Sequence, residues 1–195
     1  MPVILFNFSW MSLNILLAVA AVLLAYIFLK SKNKTIKVIS GILWLLFLPN
    51  TIYLFTDMLH ILYQWEQVQG FEKVIIAIQF AVLQVVGFTT FILAFRPFEV
   101  VLKWLKYQEK KKVYAIILFN FLIAFGIVLG RVERINSWDV FSGSERVLQA
   151  VINIVTSYEL IGLTILFGLF CNFIYFLLRD PVFRSTIKFK STLAK

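Results

Sequence analysis

Residues 8–29 read FSWMSLNILLAVAAVLLAYIFL, and this stretch decides the fold class. It carries no charged side chain and exceeds the roughly 18 apolar residues that mark a spanning helix. Working outward, the same kind of run recurs at 38–56, 74–95, 113–130 and 160–178, each without a charge. None shows the strict period-two alternation of a lipid-facing barrel strand, so the chain reads as all-α, a polytopic transmembrane helical bundle of five spans. A mean hydropathy of +0.89 with 61% hydrophobic residues exceeds what a soluble core of this length can hide. None of the first 29 residues is charged, so no basic n-region precedes the first run and a cleavable secretory signal is not expected. One membrane domain, residues 1–195, is the simplest division.

The formal net charge of +9 suggests nucleic acid in a soluble protein, but here the basic residues fall in short segments between the apolar runs. They read as topology signals, and no nucleic-acid partner is expected. Lys30, Lys32, Lys34 and Lys37 follow span one. Arg96, Lys103, Lys106 and Lys110 to Lys112 follow span three, and Arg179, Arg184, Lys188, Lys190 and Lys195 follow span five. These are 15 of the 19 basic residues. Lys and Arg are retained on the cytoplasmic side, which predicts a multi-pass protein of the cell membrane with its N-terminus outside and its C-terminus cytoplasmic. The segment from Arg96 to Lys112 interleaves basic and apolar residues and suits an amphipathic helix on anionic lipid. Residues 147–158 place Gln149, Asn153 and Thr156 at helical spacing between apolar neighbours. The stretch is too short to span, and predicts a short interfacial or re-entrant helix.

Two motifs carry the polar chemistry. Span two ends in LPNTIYLFTDMLH, residues 48–60. At about 100° per residue, Asn50, Tyr53, Thr56, Asp57, His60 and Gln64 fall within an arc of about 120°, with Ile52, Phe55, Leu59 and Leu62 turned away. Pro49 removes a backbone donor just before that stripe. The second motif, GRVERINSWD, covers residues 130–139. Arg131 and Arg134 share a face if the fourth helix continues by a turn, Asn136 and Asp139 supply turn and cap chemistry, and Trp138 fits an interfacial aromatic belt. By the charge asymmetry both motifs emerge on the outer face.

Each motif has a functional and an architectural reading. Asn50, Tyr53 and Thr56 either bind a ligand or hydrogen-bond helices together. Asp57 and His60 are the acid–base candidates, since ionisable groups near hydrocarbon usually line a wet path, pair, or react. With Asp139 they also form a weak metal-ligand set, weak because the chain holds a single histidine and no multi-histidine pattern. Arg131 and Arg134 either grip a phosphate or lock the loops by pairing with Asp57, Glu133 or Asp139. No cofactor is identified.

The motifs LPNxxYxxTDxxH and GRxxRxNSWD resemble the bacterial membrane family known as domain of unknown function 1361. That resemblance implies a multi-span membrane protein and supplies no activity, cofactor or catalytic residue. Three functions follow as expectations. The first is an envelope accessory protein whose outer polar cleft binds membrane lipid, an anionic headgroup, or a partner. The second is an enzyme acting on a lipid-linked or polyprenyl-phosphate substrate. The third is a transporter, favoured if Asn120 and Glu159 extend the polar stripe into the membrane.

Overall fold

The computed structural model describes residues 2–136 and 139–193, with side chains for 3–136 and 139–183. Every described element is helical: α1 (Pro2–Lys30), α2 (Lys34–Thr56), α3 (Leu59–Trp65), α4 (Phe71–Trp104), α5 (Glu109–Arg131), α6 (Asp139–Ser142), α7 (Ser144–Thr156) and α8 (Tyr158–Leu193). Five stretches are long and apolar enough to cross a membrane: Val3–Lys30, Lys34–Trp65, Phe71–Trp104, Glu109–Arg131 and Tyr158–Phe183. The protein is therefore a multi-pass, all-α membrane protein. Its exposed surface agrees, because Leu13 and Leu23 on α1, Leu118 and Leu122 on α5, and Leu166 and Phe173 on α8 face outward, where hydrocarbon is the only solvent that suits them.

The helices overrun the expected spans. In particular α4 continues without a break to Trp104, so Arg96–Trp104 is the end of a spanning helix and not a separate amphipathic connection. Pro97 does not stop it, because neighbouring groups in a membrane helix can absorb one lost backbone donor. The stop comes at Lys106, which adopts a left-handed φ of 53° while Tyr107 N–H reaches back to the Leu102 carbonyl at 3.2 Å. This is the six-to-one closure that glycine usually provides, and a β-carbon is strained there. Lys106→Gly is expected to raise stability by about 0.5 kcal/mol. A thermal melt in detergent should rise slightly, and a lower midpoint would argue against the strain.

The chain divides into two compact units, residues 1–97 with 182–195, and residues 98–181. In the first, α1 packs antiparallel on α2 along Asn7, Met11, Asn14, Ala18, Ala21 and Ala25, a 4-3-4-3-4 spacing that keeps one seam facing its neighbour. The alanines permit close backbone approach, and beyond them Phe28 stacks on Trp44 at 5.7 Å between ring centroids. Helix α4 closes on the pair. A methyl group on Gly87 would stand 2.9 Å from Leu54 Cβ and 3.1 Å from the Thr51 carbonyl, and Trp44 Nε1 donates to the Ala94 carbonyl at 2.7 Å.

The second unit is built from the end of α4 with α5, α6, α7 and the first part of α8. Phe98 stacks on Phe119 at 3.9 Å between centroids, and Ile116, Ile123 and Ile127 form the buried side of α5. Helix α7 lays Ala150 and Ile154 inward, and a single residue, Ser157, separates it from α8.

Candidate functional site

The polar stripe of span two does not lie on one uninterrupted helix. α2 ends at Thr56 and α3 begins at Leu59. Between them the backbone tightens: Met58 N–H bonds Phe55 O at 3.1 Å, His60 N–H bonds Asp57 O at 3.0 Å, and Ile61 N–H bonds Met58 O at 3.1 Å. Such three-residue bonds advance the chain by about 120° per residue, not 100°, and so rotate everything that follows. The buried side runs through Thr51 and Leu54 on α2 and continues, past the tightened turn, through Asp57 and Gln64. Ile52, expected to point away, is buried, and His60 is exposed. The tightening also takes Met58 N–H away from the Leu54 carbonyl, which accepts instead from Gln84 Nε2 of α4 at 3.0 Å. Thr51 and Thr56 turn their hydroxyls back onto Leu48 O and Tyr53 O, both at 2.7 Å, the usual way a hydroxyl is satisfied within a membrane helix. Asn50 and Tyr53 are half-buried on the flank of α2.

What the stripe meets is α1. Asn14 Nδ2 donates to Asp57 Oδ2 at 3.0 Å. One turn nearer the N-terminus, the Trp10 ring packs on the His60 imidazole at 5.5 Å between centroids. One turn further, Asn7 and Gln64 exchange both amide hydrogen bonds at 2.7 Å. The pairs 14–57, 10–60 and 7–64 keep the register of antiparallel helices, forming three polar rungs in the membrane. Trp10 Nε1 also donates to Asn7 Oδ1 at 3.0 Å, and Gln79 of α4 donates to the Ile4 carbonyl at 3.2 Å. Asp57 is the unusual member: its carboxylate is only 1% exposed within an apolar span. Charged groups there are costly and need hydrogen-bond partners, and Asn14 supplies one.

Asn7, Trp10, Asn14, Gln79 and Gln84 were absent from the sequence-based candidates. The signal for two of them is the α1 seam, where Asn7 and Asn14 occupy positions that are otherwise methionine and alanine.

In the second unit the two arginines part company. α5 ends at Arg131, Val132 and Glu133 turn, and Arg134 takes a left-handed φ of 54°. The helix does not continue, so Arg131 and Arg134 share no helical face; Arg131 is half-buried and Arg134 exposed. The expected turn chemistry is present: Asp139 Oδ2 accepts from Asn136 N–H at 2.7 Å and from Asn136 Nδ2 at 3.4 Å. Two ties hold this loop to α7. Arg146 Nη2 donates to the Arg134 carbonyl at 3.2 Å, and Gln149 leads through Asn153, at 3.1 Å, to the Glu133 carboxylate, at 3.4 Å. Trp138 lies outside the described residues.

A family model described as "Protein of unknown function (DUF1361)" matches residues 13–174. The chain belongs to this family. The match begins after Asn7 and Trp10 and takes in Asn14, both motifs and the whole of α7. No curated protein and no solved structure matches the chain.

The remaining candidates of this DUF1361 protein resolve as follows. Among the described residues no three His, Cys, Asp or Glu side chains gather as a metal-ion set. Asn120 Nδ2 donates to Asn172 Oδ1 at 3.0 Å within the second unit, a helix-pairing contact between α5 and α8, and Glu159 is exposed at the start of α8. A group that sequence reasoning missed sits where α4 ends. Glu99 is buried, and its carboxylate accepts from Arg179 Nε at 2.8 Å and Nη2 at 3.1 Å and from the Tyr175 hydroxyl. Arg179 Nη1 also meets Asp180 at 2.9 Å.

Proposed function

We infer that the protein is a non-enzymatic membrane protein that binds the phosphate-bearing headgroup of a lipid, free or as part of a lipid-linked molecule, at the α5–α6 turn. One observation supports the reading above others. Arg131 closes a spanning helix and Arg134 follows three residues later, exposed on a turn that α7 holds in place. A guanidinium at the end of a span sits at headgroup depth, keeps its charge, and matches phosphate oxygens with a fork of donors. Asn136 and Asp139 shape the turn. The charge asymmetry of the connections makes this the outer face of the cell membrane, with the N-terminus on the same side.

The non-enzymatic part of the reading follows from the rungs. Acid–base work by the pair needs both groups at the substrate, whereas Asp57 is buried and turned to Asn14 of α1; His60, which packs on Trp10, is exposed. These contacts serve helix pairing, which hydrogen-bonding side chains in membranes commonly do.

Native mass spectrometry of gently solubilised protein tests the assignment. The wild type should carry a phosphate-bearing lipid that Arg131→Ala/Arg134→Ala loses while remaining folded, and Asp57→Asn should retain it. A folded wild type that carries no such lipid would remove the headgroup reading, and loss in Asp57→Asn alone would move the site to the rungs.

A further inference from the structure

Helix α7 carries more apolar surface than the protein covers. Placed at 100° per residue, Val147, Ala150, Val151 and Ile154 form one apolar arc, with Ala150 and Ile154 buried. Directly beside it runs a second stripe, Leu148, Ile152 and Val155, which is 62%, 43% and 56% exposed. Together the two span a little over half of the helix circumference. Glu145, Arg146, Gln149, Asn153 and Thr156 occupy the rest.

Chain connectivity says what covers the second stripe. The end of α7 is one residue from Tyr158, where a spanning helix begins, so this end lies at the membrane boundary. Its other end follows four-residue α6, whose Phe141 is 70% exposed, and the preceding span stops at Arg131. A helix held between two span ends, with its polar arc tied to the α5–α6 turn, has acyl chains within reach of its uncovered apolar side.

We propose that α7 is a membrane-surface helix, seated in the headgroup–acyl boundary with Leu148, Ile152 and Val155 among the lipid chains and its polar arc toward water. The occupant of the stripe is glycerophospholipid, and a zwitterionic bilayer suffices. The polar arc holds one acid and one base, Glu145 and Arg146, so apolar burial and not attraction to anionic lipid seats the helix. This goes beyond the headgroup reading, because the stripe can be seated whether or not Arg131 and Arg134 hold a phosphate.

The test uses the full chain in nanodiscs, with Cys171→Ala removing the one native thiol and single cysteines introduced at 148, 149, 152, 153 and 155 for an environment-sensitive fluorophore. In phosphatidylcholine alone, labels at 148, 152 and 155 should emit to the blue and be quenched by doxyl-lipid at least about threefold more than labels at 149 and 153. The pattern should persist when phosphatidylglycerol is added and when salt is raised. Uniform quenching by aqueous iodide at all five positions would overturn the proposal. So would protection of the stripe from both quenchers, the signature of a second protein surface, or lipid quenching that appears only with phosphatidylglycerol. Each labelled variant is checked for a monodisperse folded peak. Loss of bound lipid in the arginine variant with the quenching pattern intact would separate the headgroup site from the seated helix.

Discussion

Glu99→Ala will cost the folded protein about 3 kcal/mol, the scale expected when one partner of a buried, hydrogen-bonded ion pair is removed and the other is left behind. The carboxylate accepts a two-pronged contact from Arg179 and a third bond from Tyr175, and its side chain is 5% exposed. Without it, Arg179 retains Asp180 as a neighbour but loses the partner that ties α8 to the end of α4. Tyr175, fully buried, is left with a hydroxyl that must find a new acceptor away from water. Reversible unfolding in mixed micelles gives the difference. The double variant Glu99→Leu/Arg179→Leu should recover much of the loss, since an apolar pair of similar size avoids the desolvation that a single deletion leaves uncompensated. A single variant within about 0.5 kcal/mol of wild type would show that the clamp carries no stability.

The clamp also shows where sequence reading ends. Spans were legible because hydrocarbon demands long uncharged runs, and all five emerged with the expected order. Glu99 was not legible: it lies among Arg96, Lys103 and Lys106, in a stretch whose basic residues dominate any local reading. Its partner is 80 residues away and itself resembles a topology signal. Local charge patterns identify membrane boundaries well and long-range pairing poorly.

The same limit governs the rungs. Periodicity found Asp57, His60 and Gln64 on one side of a helix, because polar side chains in an apolar segment stand out against their own neighbours. It could not show that Asn14, Trp10 and Asn7 would meet them, since that depends on the antiparallel register of α1. Nor could it see that Ile52 packs inward on α2, or that backbone bonds tighten at Asp57 and Met58 and leave His60 exposed. The amphipathic character of α7 was legible from spacing alone, though its start at Ser144, with Glu145 and Arg146 inside the helix, required the structure. In each case the element was written in local composition and the contact was not.

Gly168→Ala will cost the second unit about 2 kcal/mol, because overfilling a packed helix contact forces side chains from their preferred positions. The added carbon would overlap Cδ1 and Cε1 of the Phe121 ring, and Cγ would stand only 2.9 Å away. Relief by moving α8 outward is opposed at the same turn: Asn172 Nδ2 donates to the Gly168 carbonyl at 2.8 Å while its Oδ1 accepts from Asn120 of α5 at 3.0 Å. Close approach of α5 and α8 therefore needs a residue without a β-carbon, for the reason that small residues recur wherever membrane helices pack tightly. The ring is the specific obstacle, which makes the effect separable from helix propensity. Alanine favours a helix over glycine by roughly 1 kcal/mol, so a loss on substitution must come from packing. Phe121→Leu alone should destabilise, but combined with Gly168→Ala it should cost at least about 1 kcal/mol less than the two single changes added together. Unfolding measurements on the four proteins of this cycle decide it: additive losses, or an alanine variant more stable than wild type, would mean that α5 and α8 do not depend on the gap at Gly168.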